Sequence, residues 1–217
     1  SWSKLIRVLT HEIMNTVTPV ASLSQTLSQE VERFCGESGY EEIKSGLETI
    51  SSSSRGLIKF VESYRKLTRV PVPVKRAFYL KDLMERVLSL THEQTSESGV
   101  QCVYIEKAED ILLYADENQI SQILINLIRN GVQAEASKVE ITANIDLSES
   151  VVIEIANNGH PISRESQEQI FVPFFTTKQD GTGIGLSLSR QIMRLHNGSI
   201  HLSRSDERMT VFTLIFK

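Results

Sequence analysis

From Trp2 to Phe34 apolar residues recur at spacings of three and four, namely Leu5, Leu9, Ile13, Val20, Leu23, Leu27, Val31 and Phe34, with polar Thr16 as the one interruption. That period belongs to a long amphipathic helix with a single sticky seam. Gly36 to Gly39 punctuates it, and a second stretch through Ile43, Leu47, Ile50, Leu57, Val61, Tyr64 and Leu67 makes a helical hairpin. Two helices of about 30 residues, each about 45 Å long, cannot shield two continuous seams with one another alone. A second copy of the hairpin would complete a four-helix bundle, so a homodimer through the hairpin is expected. Packing of the hairpin on the rest of its own chain suits so long an element less well.

Val70-Pro71-Val72-Pro73 ends the second helix, because each proline disfavours helix in the residue before it and supplies no amide donor. A boundary therefore falls there, giving a hairpin over 1–70, a linker at 71–74 and a second domain over 75–217. In that domain helices are expected at about Leu80 to Glu97, 117 to 135 and Ile184 to His196. Strands are expected at about 101–106, 111–115, Val151 to Ala156, Ser199 to Arg204 and Met209 to Phe216. Lys138 to Asp146 alternates strictly, with Val139, Ile141, Ala143 and Ile145 on one face and Glu140, Thr142 and Asn144 on the other, so this strand is buried on one side only. The fold class is α+β: the hairpin, then an α/β sandwich whose mostly antiparallel sheet has helices on its inner face. Ser51 to Ser54 is too short for a low-complexity tract.

Composition narrows the function. The 217 residues are 40% hydrophobic with a formal charge of -4, so no global positive field draws nucleic acid or an anionic membrane, and a nucleotide must be held by a local site. Cys35 and Cys102 stand in no metal-ligand spacing and read as spare thiols in a reducing compartment. No apolar run nears the roughly 20 residues of a membrane helix, and direct membrane contact is not expected. The chain starts at Ser1 already in helical pattern, as a soluble fragment of a longer protein would.

His11 lies between Leu9 and Ile13, about 200° from each at 100° per residue, and so is expected to face solvent. An exposed imidazole with an ordinary pKa near 6.5 is largely neutral at pH 7 and keeps a lone pair for attack on phosphorus. Glu12 follows as a candidate general base, and Asn15, one turn on, could orient a water beside a phosphorylated ring. The stretch LTHEIMNTVTPV, Leu9 to Val20, resembles the phosphoacceptor box of sensor histidine kinases, in the subtype with asparagine at the fourth place after the histidine and a later Thr-Pro at Pro19. The resemblance implies that His11 is the acceptor, Glu12 the base, and Asn15 the support of phosphatase activity.

In the helix at 117 to 135, Ile120, Leu124, Leu127, Ile128 and Gly131 can pack inward, while Gln122, Asn126, Asn130 and Gln133 form an amide stripe. Solvated helix faces are usually built from Glu, Lys and Arg, and asparagine is a poor helix former, so the stripe needs a reason. Amide oxygens can coordinate Mg²⁺ while their NH₂ groups bond phosphate. NLIRNG, Asn126 to Gly131, resembles the family's asparagine box, which implies Mg²⁺ ligation by Asn130 and a phosphate contact from Asn126. Gln133 stands where the family often has a basic residue.

Asn157-Asn158-Gly159 closes a strand, and by itself reads as a turn. The position resembles the family's Asp-Asn-Gly-x-Gly box, with Asn157 for the aspartate that recognises the adenine amino group, Gly159 in place, and Pro161 for the second glycine. An amide oxygen can still accept from that amino group. Further on, the glycines at 181, 183 and 185 stand before a helical pattern, so bare amides at a helix N-terminus can meet a triphosphate. FVPFFTTK, Phe171 to Lys178, and GTGIGLSLSRQIM, Gly181 to Met193, resemble the phenylalanine and second glycine boxes. They imply lid contacts from Thr177 and Lys178 and nucleotide contacts at Gly181, Thr182, Gly183, Gly185 and Leu186.

Five boxes in the family's order span nearly the whole chain. The resemblance implies ATP and Mg²⁺ as cofactors, autophosphorylation of His11, transfer to an aspartate of a response regulator receiver domain, and a core facing the cytoplasm, with an inner-membrane anchor elsewhere in the intact protein compatible with it. Rival readings are a degenerate scaffold with weak ATP turnover, motivated by Asn157 and Pro161, a protein acting mainly as a phosphatase, and a superfamily ATPase using water as acceptor. The hairpin with His-Glu-x-x-Asn argues against the last.

Overall fold

The computed structural model describes residues 2–33, 40–178 and 181–217, and the side chains of 2–12, 32, 33, 40 and 42 lie outside the description. The side chains of His11 and Glu12 are therefore outside the described residues, as are Phe34, Cys35 and the turn at Gly36 to Gly39. The chain forms two compact units, 1–69 and 70–217.

The first unit packs α1 (Trp2–Arg33) on α2 (Tyr40–Thr68). Its interior is made of small side chains: Ala21, Ser24 and Ser28 of α1 and Ser51, Ser54, Val61 and Ser63 of α2 are buried. Arg55 spans the pair, donating from Nη2 to Gln25 Oε1 at 3.0 Å and to Ser51 Oγ at 2.9 Å. The large apolar residues point elsewhere. Val20, Leu23, Leu27, Ile50, Leu57 and Phe60 are each at least 42% exposed in the single chain. Pro19 sits inside α1, where it supplies no amide hydrogen to the carbonyl of Asn15.

The second unit is a five-stranded sheet, order β2-β4-β5-β7-β6, and a two-stranded sheet, β1-β3. The strands are β1 (Arg76–Tyr79), β2 (Gln101–Glu106), β3 (Leu112–Ala115), β4 (Lys138–Ile145), β5 (Val151–Asn157), β6 (Ser199–Ser205) and β7 (Thr210–Phe216). Only β2 and β4 run parallel in the large sheet, and the expected α+β class holds. Helices α3 (Leu80–Glu97), α4 (Glu117–Gln133) and α6 (Gly185–Leu195) pack against the sheet and each other, and α5 (Arg164–Gln167) is a single turn. Leu80, Leu83, Met84 and Val87, then Ile120, Ile123, Leu124, Leu127 and Ile128, then Ile192 and Met193 meet Val139, Ile141, Ile153, Ile155 and Leu214. Each such side chain contributes about 1.5–3 kcal/mol by leaving water. Ile145, expected on the inner face, is 41% exposed at the end of the strand. Cys102 is half-buried, and burial pushes its thiol up to about 11, as suits an unreactive thiol.

The segment expected as a linker is fastened to α4. Asp116 caps that helix, accepting from Asn118 N at 3.0 Å and Gln119 N at 3.1 Å with one oxygen and from Val74 N at 2.9 Å with the other. Gln119 Nε2 donates to Pro71 O at 2.9 Å. His196 secures the same corner: its Nδ1 faces Ile192 O at 2.8 Å, so Nδ1 carries the proton and Nε2 accepts from Asp116 N at 3.0 Å.

Burial, with help from Lys75, pulls the His196 pKa below its ordinary value against the opposing influence of Ile192 O and Asp116. The unfolded chain then binds a proton that the folded chain refuses, so stability is full above the unfolded pKa of about 6.5 and lost as pH falls from there toward the folded value. Thermal melts of the second unit between pH 7.5 and 5.5 should show this loss, and His196→Gln should flatten it. An equally steep slope in the variant would assign the effect elsewhere.

Candidate functional site

Within the second unit one helix touches the start of α6, the end of β5 and the loop bearing Lys178. On α4, Asn126 lies against the start of α6: a Cβ at Gly185 would fall 2.3 Å from Asn126 Oδ1, and Asn126 Nδ2 stands 3.5 Å from Ser189 Oγ, which itself donates to Gly185 O at 2.8 Å. A side chain at 185 would displace the Asn126 amide. One turn later, Gly131 lets α4 settle on the ends of β4 and β5, since a Cβ there would meet Val139 Cγ2 at 2.8 Å and Asn157 Cβ at 3.2 Å. At the end of α4, Gly159 passes over Ala134, where a Cβ would come within 2.4 Å of the carbonyl oxygen.

Asn130 and Gln133 take their partner from the loop. Lys178 Nζ donates to Gln133 Oε1 at 2.6 Å and lies 3.5 Å from Asn130 Oδ1, and loss of solvent around the half-buried ammonium lowers its pKa. The loop reaches this position from an aromatic anchor: Phe171 meets Phe212 edge to face at 6.3 Å, and the Arg190 guanidinium lies 4.1 Å from the Phe171 ring centre. Gly183, at φ +65°, closes the loop on Phe174, whose amide donates to Gly183 O at 2.9 Å. A side chain at 183 would meet the Phe174 backbone at 2.4 Å. Thr177 and Thr182 are exposed and Leu186 is half-buried; Thr177 adjoins Lys178 and Leu186 adjoins Gly185 in the chain.

Asn157 ends β5 on the helix-facing side of the sheet, opposite Thr210, and is 6% exposed. Its Oδ1 accepts from Gly159 N at 3.1 Å, a local turn bond that fixes which end of the amide is oxygen. Asn158 binds elsewhere: its Oδ1 accepts from Ser137 N and Lys138 N at 3.0 and 2.9 Å, and its Nδ2 donates to Ser137 Oγ at 2.8 Å. It holds the turn between α4 and β4 rather than lining the site.

Residues 115–217 match the family of histidine kinase-, DNA gyrase B- and HSP90-like ATPases. The nucleotide-free catalytic domain of the histidine kinase ThkA superposes on 65% of the chain with a TM-score of 0.59, at 34% identity and covering 94% of that domain. The chain belongs to the sensor histidine kinases.

This histidine kinase is also 27% identical over 198 residues to the sensor protein DegM of Bacillus sp. (strain B21-2), across 91% of the chain and 50% of DegM. ThkA crystallised with the response regulator TrrA covers 98% of the chain at 26% identity with a TM-score of 0.66, the match taking in 60% of that ThkA chain. The kinase chain spans only 33% to 50% of the length of the curated relatives DegM and sporulation kinase A of Bacillus subtilis. Among the described residues no helix is long and apolar enough to cross a membrane.

The kinase's donor set suits a hard cation bound together with phosphate. No cluster of three His, Cys, Asp or Glu residues exists among the described residues to cage a metal. Instead Asn130 Oδ1 and Gln133 Oε1 both face the cationic Lys178 Nζ, so carbonyl oxygens already converge on positive charge. Mg²⁺ needs only one or two such oxygens when phosphates and water complete its octahedron. Sequence reading passed over Ser205 and Thr210, whose hydroxyls bond at 2.8 Å beside Asn157 while Ser205 Oγ accepts from Ile162 N at 2.9 Å. Only the strand register reveals that neighbourhood.

Proposed function

We propose that residues 1–70 form the dimerising phosphotransfer hairpin, 71–74 the connection, and 75–217 the catalytic domain of a kinase that phosphorylates its own His11 from Mg-ATP. The observation that carries this reading is the meeting of Asn130, Gln133 and Lys178, with Asn126 and the glycine-led start of α6 one turn away. Asn130 holds Mg²⁺, which neutralises phosphate charge when bound. Asn126, Lys178 and the amides of Gly181 to Leu186 bind the phosphates, and Asn157 meets the base. A ring nitrogen of His11 attacks the γ-phosphorus, the bond to the bridging oxygen breaks, ADP departs, and Glu12 takes the proton from the ring. A receiver-domain aspartate then takes the phosphoryl group while the proton held by Glu12 returns to the ring, restoring neutral His11. Asn15, exposed on α1, can direct a water at the receiver's phosphoryl group in the reverse, phosphatase sense. The exposed large apolar seam of the hairpin supports a homodimer, and ThkA's complex with a response regulator supports the partner class. The domain works in the cytoplasm, where ATP is.

Asn130→Ala tests the centre. Calorimetric Mg-ATP affinity and phosphoryl incorporation should both fall, the latter by about 100-fold, as for loss of one preorganised electrostatic contact. Unchanged binding and turnover would take the amide stripe out of the mechanism.

A further inference from the structure

We infer that Asn157 makes the base pocket a site for 6-oxopurine nucleoside triphosphates, GTP and ITP, bound at least as tightly as ATP. The inference rests on the nucleotide-site reading above and concerns which base that site accepts. Asn157 is only 6% exposed, faces the helices opposite Thr210 and lies beneath Gly131. Its Oδ1 is engaged by the Gly159 amide at 3.1 Å, and since a backbone N–H can only donate, the amide cannot be turned end for end. The end left without a partner is Nδ2, a donor. It has no acceptor among the described residues. Nor is it sealed away: among those residues the one fully buried side-chain N or O without a partner is Gln119 Oε1, so Nδ2 keeps some exposure.

Adenine presents an amino group at C6, which also donates. Two donors face to face leave both without a partner, and a site wired for the opposite polarity discriminates strongly. Guanine and hypoxanthine present a carbonyl oxygen at C6, which accepts from Nδ2. A carboxylate at 157 would keep the bond from Gly159 N and offer a second acceptor to adenine, so one atom of one side chain decides the preferred base.

The test is calorimetric titration of the full chain with Mg-ITP, Mg-GTP and Mg-ATP, for wild type and Asn157→Asp. ITP isolates the C6 carbonyl from the space needed by the guanine amino group. Wild type should bind ITP at least as tightly as ATP, and Asn157→Asp should prefer ATP by about tenfold or more. Tighter binding of ATP than ITP by wild type overturns the inference and leaves the nucleotide site standing. Failure to bind any of the three overturns both. The wild-type comparison decides even if the variant does not fold.

Discussion

Glutamine in place of His11 is expected to remove all acid-labile, alkali-stable label from radiolabelled ATP, at least about 1000-fold below wild type, because the attacking atom itself is deleted. Glutamine is neutral, near the imidazole in reach, and tolerated in a helix, so α1 should persist. Its amide nitrogen, however, shares its lone pair with the carbonyl and cannot attack phosphorus. Mg-nucleotide affinity should be unchanged, since the candidate binding residues all belong to 70–217. That pairing of lost label with retained affinity distinguishes loss of the acceptor from general damage. Label retained by the variant would refute the assignment of His11.

Gly159→Ala should destabilise the second unit and weaken nucleotide binding in the same protein. The new Cβ would lie 2.4 Å from Ala134 O, 2.8 Å from its Cβ and 2.9 Å from its carbonyl carbon, contacts that no rotamer relieves. Neither partner can withdraw cheaply. Ala134 O accepts from His160 N at 2.7 Å, and Ala134 N donates to Asn130 O at 3.0 Å at the end of α4. Overpacking of this kind costs about 1–3 kcal/mol or more, which for a unit of this size lowers the melting temperature by about 4–10 °C. The turn that orients Asn157 moves with residue 159, so nucleotide affinity should fall at least about tenfold in the same protein. Differential scanning calorimetry and nucleotide titration measure the two losses. A wild-type melting temperature with wild-type affinity would mean that the turn has room the structure does not show.

Much of this was legible in the sequence because period and punctuation are local. The Leu80 to Glu97 helix, the inward Ile120, Leu124, Leu127, Ile128 and Gly131, and the alternation of Val139, Ile141 and Ala143 all follow from residues within one element. The short β1 was not legible, since four residues after a proline-rich stretch carry no period and their partner, Leu112 to Ala115, is distant in the chain. The same limit hid the approach of Lys178 to Gln133, the hold of Asn158 on Ser137 and Lys138, and the bond from Asp116 N to His196. The boundary at Val70 to Pro73 was visible as a helix stop, but the anchoring of Pro71 and Val74 to α4 was not. In the hairpin the serines from Ser51 to Ser54, set aside as a short tract, include two that are buried. Pattern credits bulk to the interior, whereas close helix approach requires side chains with little of it.

That serine-lined interior has a thermodynamic consequence. Among the described residues little hydrocarbon leaves water when α1 meets α2 within one chain, so in the proposed homodimer most of the driving force for a folded stalk comes from association, and mass action governs it. The hairpin's stability then rises with protein concentration, whereas the nucleotide domain, with its own sealed core, holds its fold at any dilution.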